Sequence, residues 1–493
     1  MLHSVTCVQK RTFGPRPVRG TIALVLGTVL ALSLTTVFGQ QNLPDMGEPA
    51  DSALSPAEEQ QLGAQFMRQI RAQLPLIKDV QLNEYIQNLG NRLVLASGKS
   101  ESQHFTFFLI DDPQINAFAI PGGYVGVNSG LIEAMVQEEQ LASVVAHEVA
   151  HVTQRHHARA FATGNRTTLS TAAAVLAAII IGQASPQAGS AALAAGLAAS
   201  QQSAINFTRT NEVEADRIGI EILTNAQYDP RAMAETFSIL RRKNSLNTSL
   251  GQLEYLRTHP LDNNRIAEAT DRAATKPLKD RVSDFDYPLF KARLSVLSSN
   301  DTGQLKRIHL AEYARKPTVQ NTYALALMSK RANRSEDAKR YLAALDKLVS
   351  THPMVELLRA DINGLGNKKS DDALLDELID LYPDRYSIVE KRLDQLVRDR
   401  RVSEAANAVR RYIRDSKIPN PLAWRQLANI QQRLQDKASS HESLAKYFEA
   451  IDELSRAANQ LELALLEVSP ASQDKVRLDA SLRDLRAKAN RLR

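Results

Sequence analysis

Cysteine is almost absent from this sequence. The only cysteine among 493 residues is Cys7, which precedes an apolar run near the N-terminus. If that N-terminal segment is removed, the remaining chain needs no disulfide and offers no thiol chemistry. A bacterial periplasm is compatible with this composition.

An excess of charge is also lacking. The chain has 61 basic and 55 acidic residues, for a net charge of +6. Four basic and no acidic residues precede Gln40, so the rest of the chain carries 57 minus 55, or +2. A nearly neutral chain gives no electrostatic argument for a nucleic-acid partner.

Beyond its N-terminus the sequence has no apolar run of about 20 residues, the length that spans a bilayer. Two apolar arms of about twelve residues, 171–182 and 189–200, instead predict a helical hairpin. We expect it to pack on the rest of its domain. The alternative is that it makes peripheral contact with a membrane surface or with membrane-protein substrates.

The N-terminus itself has the composition of a secretion signal. Lys10, Arg11, Arg16 and Arg19 precede an apolar run that extends from about Thr21 to Val37. A small residue, Gly39, then precedes Gln40, and no cysteine stands at this point. The pattern predicts a signal peptide over residues 1–39, cleaved after Gly39, and a periplasmic protein. An uncleaved anchor is the alternative.

The most informative motif is HEVAH at residues 147–151, which follows an apolar stretch. Four residues are about one helical turn, so His147 and His151 share a helix face and suit a single zinc ion. Glu148 lies beside them, where it can act as general base towards a water molecule. Buried groups of this kind need partners, which favours a metal site over a chance match.

A zinc protease needs a third protein ligand, and the sequence NEVEAD at 211–216 supplies a candidate. Glu212 and Asp216 are four residues apart, so they share a helix face. Glu212 can ligate the metal, while Asp216 can accept the second N–H of a ligating imidazole. Taken alone, these acids and Glu214 would instead form a surface patch with Arg217 as their local partner.

These motifs together resemble metallopeptidase family 48. The resemblance rests on HEVAH, on EVEAD 61 residues after His151, and on two further strings, INAFAIPGGYVGVNSGLI at 115–132 and THPLDNNRI at 258–266. It is strong over about residues 55–275 and looser afterwards. Together with the helical pattern from about residue 300 onwards, these motifs make the chain similar to the periplasmic members of the family that carry tetratricopeptide repeats.

The resemblance implies a role for each residue at the site. It makes His147, His151 and Glu212 the ligands of one zinc ion, Glu148 the catalytic base, and Asp216 a residue that orients a ligand. His259 would lie near the active site, where it either caps the fourth zinc position and keeps the enzyme latent or stabilises the tetrahedral intermediate. Arg265 would lie near the same cleft. By default, however, a histidine before a proline is only a loop residue.

Two neighbouring histidines are not expected to take part. His156 and His157 follow His151 by five and six residues, so neither would share the ligand face of a continuous helix. The sequence therefore predicts that both are exposed near a helix end.

The segment Phe118–Val127 is rich in strand-forming residues and is interrupted by Pro121-Gly122-Gly123. A strand with a free edge would bind an extended substrate through main-chain hydrogen bonds. Such binding implies locally unfolded substrates and weak sequence specificity. An ordinary hairpin would explain the same residues.

The sequence from about residue 300 onwards predicts helix after helix. Small residues recur at Ala338, Ala373 and Ala405, with spacings of 35 and 32. The segment from Leu444 to Pro470 follows the tetratricopeptide template closely. We expect about four irregular repeats, whose concave surface binds peptides or partner proteins. A generic helical bundle is the alternative.

The predicted fold is therefore mainly α. A zincin-like α+β metalloprotease domain with a small sheet (50–280) precedes a tetratricopeptide-repeat domain (300–493). The expected function is that of a periplasmic zinc endopeptidase. By resemblance, it would degrade unfolded or stalled outer-membrane proteins, assist their assembly, and contact the assembly machinery through its repeats. The alternative is an envelope chaperone or binding scaffold with little or no proteolysis.

Overall fold

The computed structural model of the protein describes residues 54–99, 105–163, 201–246, 252–277, 285–365, 372–416 and 419–491. The predicted signal peptide (1–39) and the predicted apolar hairpin (171–200) lie outside the described residues. All described residues belong to one compact unit, Pro49–Arg493. No helix in these described ranges has the length and the apolar character needed to cross a membrane.

Two helices open the described chain. The first, α1 (Pro56–Gln73), begins with a capping box in which Ser55 and Glu58 satisfy each other's backbone N–H groups. The second, α2 (Val80–Ala96), is capped by Asp79. Leu82, Ile86 and Leu89 of α2 are buried in the core of the first half of the chain.

A mixed three-stranded sheet follows, composed of β1 (Thr106–Ile110), β2 (Ala117–Ile120) and β3 (Tyr124–Asn128). The strand order is β1-β3-β2, with β3 parallel to β1 and antiparallel to β2. Gly122 and Gly123 both have positive φ (79° and 81°) in the turn between β2 and β3, a conformation that glycine adopts without steric cost. Because β3 is the central strand, β2 lies at an edge of this sheet.

The HEVAH motif lies on a buried helix. After the short α3 (Ser129–Ala134), α4 (Glu138–Thr153) runs through the core with nearly every side chain buried. The helix ends at Thr153, and Arg155 has a left-handed backbone (φ 51°). The next helix, α5 (His156–Thr163), therefore starts in a new direction.

Four helices complete the first half of the chain. They pack against α4 or against one another and bring the second half of the site into position. They are α6 (Gln201–Asn225), α7 (Ala232–Leu246), α8 (Glu254–Thr258) and α9 (Asn263–Ala274).

The rest of the described chain is helical. The helices are α10 (Asp286–Ser298), α11 (Thr302–Arg315), α12 (Val319–Arg331), α13 (Ser335–Leu345), α14 (Pro353–Asn363), α15 (Asp372–Leu381), α16 (Tyr386–Arg398), α17 (Val402–Asp415), α18 (Pro421–Arg433), α19 (Lys437–Ala450), α20 (Leu454–Leu466) and α21 (Gln473–Arg491). From α12 onwards they form consecutive pairs. The first helices of these pairs begin at residues 319, 353, 386, 421 and 454, so successive starts are 34, 33, 35 and 33 residues apart.

The helix α10 lies between the two predicted domains and belongs to both cores. Its residues Tyr287, Phe290 and Leu294 are buried in the core that contains α2 and α4. Its other buried residues, including Leu289 and Val296, pack with α12 and α13. The mainly helical fold with a small sheet, predicted from the sequence, is confirmed.

Candidate metal centre

The two histidines of the HEVAH motif face each other across one turn of α4. Their Nε2 atoms are 3.0 Å apart, and both residues are buried. Two N–H groups cannot point at each other across 3.0 Å, so at least one of these Nε2 atoms is unprotonated and presents a lone pair to the space between the rings.

Glu212 on α6 completes a triangle with these nitrogens. Its Oε2 lies 3.3 Å from His147 Nε2, and its Oε1 lies 3.3 Å from His151 Nε2. His259, which follows α8, reaches the same point from the other side. Its Nδ1 is 3.0 Å from Glu212 Oε1 and 3.4 Å from His147 Nε2.

These four residues have the donor types and the spacing that a metal ion requires. One ligand atom from each of His147, His151, Glu212 and His259 lies within 4.8 Å of all the others. A tetrahedral zinc site with bonds of about 2.0–2.1 Å has ligand atoms about 3.3–3.4 Å apart. The separations given above, 3.0–3.4 Å, are close to that value.

The electrostatics of the cluster also favour a cation. Burial opposes protonation of His147, but its contacts with Asp216 and Glu212 outweigh burial and raise the pKa of His147 to about 10. Burial alone would raise the pKa of Glu212, yet the neighbouring His259 and His151 hold it well below its usual value. A positive charge, whether a proton or a metal ion, is therefore stabilised among these side chains.

Glu148 lies immediately beside the cluster. Its side chain is buried, and its Oε1 is 3.5 Å from His259 Nε2. Burial raises the pKa of Glu148, whereas the charges of His259 and His147 and the backbone N–H of Ala119 act in the opposite direction. A buried carboxyl group with a raised pKa is suited to accept a proton and return it near neutral pH.

Asp216 and Arg265 hold the cluster from behind. Asp216 Oδ1 lies 3.0 Å from His147 Nδ1, the nitrogen that does not face the cluster. Arg265 donates two hydrogen bonds to Asp216, at 2.7 and 2.8 Å, and its Nη1 lies 2.9 Å from Glu212 Oε2. A third donation, to the carbonyl oxygen of Pro260, ties the loop after His259 to the same arginine.

The prediction that His156 and His157 are exposed is wrong. His156 is only 4% exposed, and its Nδ1 lies 2.8 Å from His151 Nδ1. His157 is half-buried, and burial lowers its pKa to about 4. The prediction assumed one continuous helix, but the left-handed residue Arg155 turns the chain and directs His156 back to His151.

Glu214 and its surroundings were also missed. Glu214 accepts a hydrogen bond from Arg159 at 2.6 Å and lies 3.3 Å from His156 Nε2. It is therefore neither paired with Arg217 nor part of an exposed acidic patch with Glu212 and Asp216, both of which are buried. The available signal was the local string HVTQRHHAR, whose histidines and arginines require partners if the chain turns back.

The edge strand β2 runs beside α4. Ala119 in the middle of β2 has its backbone close to both Glu148 and His157. The strand predicted to receive a substrate thus passes directly by the residue predicted to be the base.

Comparison with known proteins agrees with this geometry. Residues 80–273 match peptidase family M48, a range that contains every residue of the cluster. The chain is 36% identical over 451 residues to the beta-barrel assembly-enhancing protease of Escherichia coli K12, which covers 90% of this chain and 91% of that protein.

The chain belongs to peptidase family M48. The protein of Yersinia pestis with the same name is 36% identical over 468 residues, with 92% and 93% of the two chains covered. The mitochondrial metalloendopeptidase OMA1 of Schizosaccharomyces pombe is 31% identical over 201 residues, which cover 41% of this chain and 56% of that protein. As a member of family M48 with a buried His–Glu cluster, the protein is a metalloprotease.

Proposed function

We propose that the protein is a zinc endopeptidase in which His147, His151 and Glu212 hold the metal and Glu148 acts as general base. The observation that carries this proposal is the convergence of four buried ligand atoms within 4.8 Å of one another, with Glu148 beside them. Three of these residues come from two helices that pack together, so their positions are set by the core rather than by loops.

When bound, zinc supplies Lewis-acid chemistry, because it lowers the pKa of water towards 7 and polarises a carbonyl group. Glu148 takes a proton from the attacking water and delivers it to the leaving amine. Asp216, itself held by Arg265, fixes the ring of His147. The edge strand β2 would align an extended peptide beside Glu148 through main-chain hydrogen bonds.

His259 closes the site in the resting protein. Its Nδ1 lies where a fourth ligand would stand, and its Nε2 is 3.5 Å from Glu148. A histidine in that position competes with both water and the substrate carbonyl. We therefore favour the hypothesis that His259 keeps the enzyme latent over the hypothesis that it stabilises the tetrahedral intermediate.

We further propose that the substrates are outer-membrane β-barrel proteins in the periplasm, unfolded or stalled during assembly. Relatives that match nine-tenths of the chain are named beta-barrel assembly-enhancing proteases. The helix pairs that begin every 33–35 residues support tetratricopeptide repeats, whose concave surface would recruit the assembly machinery.

The closed position of His259 also favours a second function, an envelope chaperone that holds substrates with little proteolysis. One experiment distinguishes the two. Zinc content and casein digestion are measured together on purified protein. About one zinc per chain with metal-dependent digestion supports the protease, whereas zinc without digestion in any variant supports the scaffold. Absence of bound zinc would contradict the proposed metal site.

A further inference from the structure

His151 has a neighbour on the side that faces away from the cluster. The HEVAH helix ends at Thr153, and the turn at Arg155 brings His156 back until the two Nδ1 atoms are 2.8 Å apart. Both rings are buried, so their nitrogens need hydrogen-bond partners within the protein. The other nitrogen of His156 lies 3.3 Å from Glu214 Oε2, and Arg159 holds that oxygen at 2.6 Å.

The tautomers of this chain of groups are determined by its two ends. A His151 that ligates a metal through Nε2 carries its proton on Nδ1. That N–H must donate, so Nδ1 of a neutral His156 must accept. His156 then carries its own proton on Nε2, which is the nitrogen that faces the Glu214 carboxylate. Every donor therefore meets an acceptor, in one direction, from the ligand to Glu214.

We propose that His156 and Glu214 are positioning residues for the metal ligand His151, as Asp216 and Arg265 are for His147. Because the Glu214 carboxylate can only accept, it sets the same tautomers from its own end of the chain of groups and orients His151 Nε2 into the cluster before any metal arrives. This inference rests on the proposed metal site. It adds a second support for a metal ligand: His156, placed by the turn after the HEVAH helix, contacts His151, and Glu214 of the EVEAD segment contacts His156.

Zinc affinity measured by competition with a chelator tests the proposal without recourse to activity. His156→Leu removes the acceptor and should weaken zinc binding by about 10–100-fold, the usual effect of losing such a partner. His156→Asn offers an amide oxygen near the position of Nδ1 and should restore affinity to within a few-fold of the wild type. Glu214→Ala should show a smaller loss than His156→Leu.

The matched control for Glu214→Ala is Glu221→Ala, which lies on the same helix, α6. It removes a half-exposed carboxylate paired with Lys276 and should leave zinc affinity unchanged. Thermal unfolding of every variant without zinc measures the purely structural effect. The proposal is overturned if His156→Leu binds zinc as the wild type does, or if the leucine and asparagine variants lose affinity equally. A wild-type protein that binds no zinc would instead overturn the proposed function.

Discussion

At the scale of single residues, the site is a set of charges that satisfy one another. Arg265 contacts both Asp216 and Glu212, so one guanidinium group supports a candidate ligand and the partner of another. Its own pKa is raised, because the nearby carboxylates outweigh its burial. Removing any one member leaves a buried charge without its partner, which is more costly than removing an exposed group.

The general-base assignment makes the first prediction. Glu148→Gln keeps the size and hydrogen-bonding shape of the side chain but removes the carboxylate that accepts the proton. We expect proteolysis of unfolded casein to fall by about 10²–10⁴-fold, the usual contribution of such a base. Zinc content should remain that of the wild type. Cleavage at the wild-type rate would mean that another group takes the proton.

The third ligand makes the second prediction. Glu212→Ala should reduce zinc affinity by more than about 100-fold, since loss of a group that only supports a ligand already costs 10–100-fold. Chelator competition measures the difference. Glu221→Ala is the control, because Glu221 lies on the same helix with a side chain that is 47% exposed. Equal affinities for the two variants would assign the third ligand elsewhere.

The third prediction concerns the sign of a change at His259. If this side chain occupies the fourth ligand position, His259→Ala should raise the rate of casein digestion and of self-cleavage. If it instead stabilises the intermediate, its loss should lower the rate by about 10²–10³-fold. Initial rates at equal zinc occupancy separate the two outcomes, and we expect the increase. An unchanged rate would mean that His259 is only a loop residue.

At the scale of elements, the site depends on how closely α4 and α6 approach each other. Gly219 lies on the face of α6 that carries Glu212 and Asp216, against the backbone of His147. A Cβ atom at this position would lie 2.8 Å from Met233 Cε and 3.4 Å from His147 N. A single methyl group would therefore reach the backbone of His147 at ordinary contact distance, and a larger side chain would press apart the two helices that carry the candidate ligands.

The fourth prediction follows from this close packing. Gly219→Val should push the helices apart and cost about 1–3 kcal/mol of stability, as overpacked cores do. Zinc affinity should fall with it. Gly219→Ala is the graded control, because the flexible end of Met233 can move away from a single methyl group. The two measurements are chelator competition and urea unfolding; a valine variant with unchanged zinc affinity would show that the helix spacing does not limit the site.

At the scale of the whole molecule, the helices from α10 onwards contact the first half of the chain at separate places. Arg293 on α10 forms an ion pair with Asp79 at 2.6 Å. Ser387 on α16 donates to Glu84 at 2.6 Å. Far along the chain, Asp452 accepts a hydrogen bond from Tyr124, next to the turn between β2 and β3. The helices of the second half thus contact both the helix α2 and the strand β3, which adjoins the edge strand β2.

Glu390 lies on α16, the helix that also carries Ser387, and it makes the stability of the protein depend on pH. Burial, together with Asp394, Asp79 and Glu84, raises the pKa of Glu390 to about 7, against the opposing charge of Arg425. The folded state therefore binds this proton more tightly than the unfolded state does. The contribution of Glu390 to the free energy of unfolding should be fully present below about pH 4.5 and should be lost as pH rises through about 7.

The fifth prediction removes this titration. Glu390→Gln should raise the free energy of unfolding at pH 8 by about 1–2 kcal/mol, a value reduced from the full shift because the side chain is partly exposed. At pH 5 the variant and the wild type should differ little. Urea unfolding at both pH values provides the measurement. A difference of the same size at both pH values would rule out titration of Glu390 as the cause.

The sequence by itself determined the elements that depend on local rules. The capping residues of α1, the strand content of 105–128 and the helical register of His147 and His151 follow from neighbours within a few positions. Glu212 and Asp216 could be paired for the same reason, because four residues are about one turn wherever a helix forms.

Only the tertiary structure decided which distant side chains meet. The positive φ of Arg155 ends one helix and aims His156 at His151, a reversal that no helical period predicts. Glu214 joins them because α5 packs there, and α10 belongs to two cores because helices from both halves cover its opposite faces. Such contacts depend on the free energy of packing whole elements, to which residues hundreds of positions apart contribute together, and a local pattern contains none of that information.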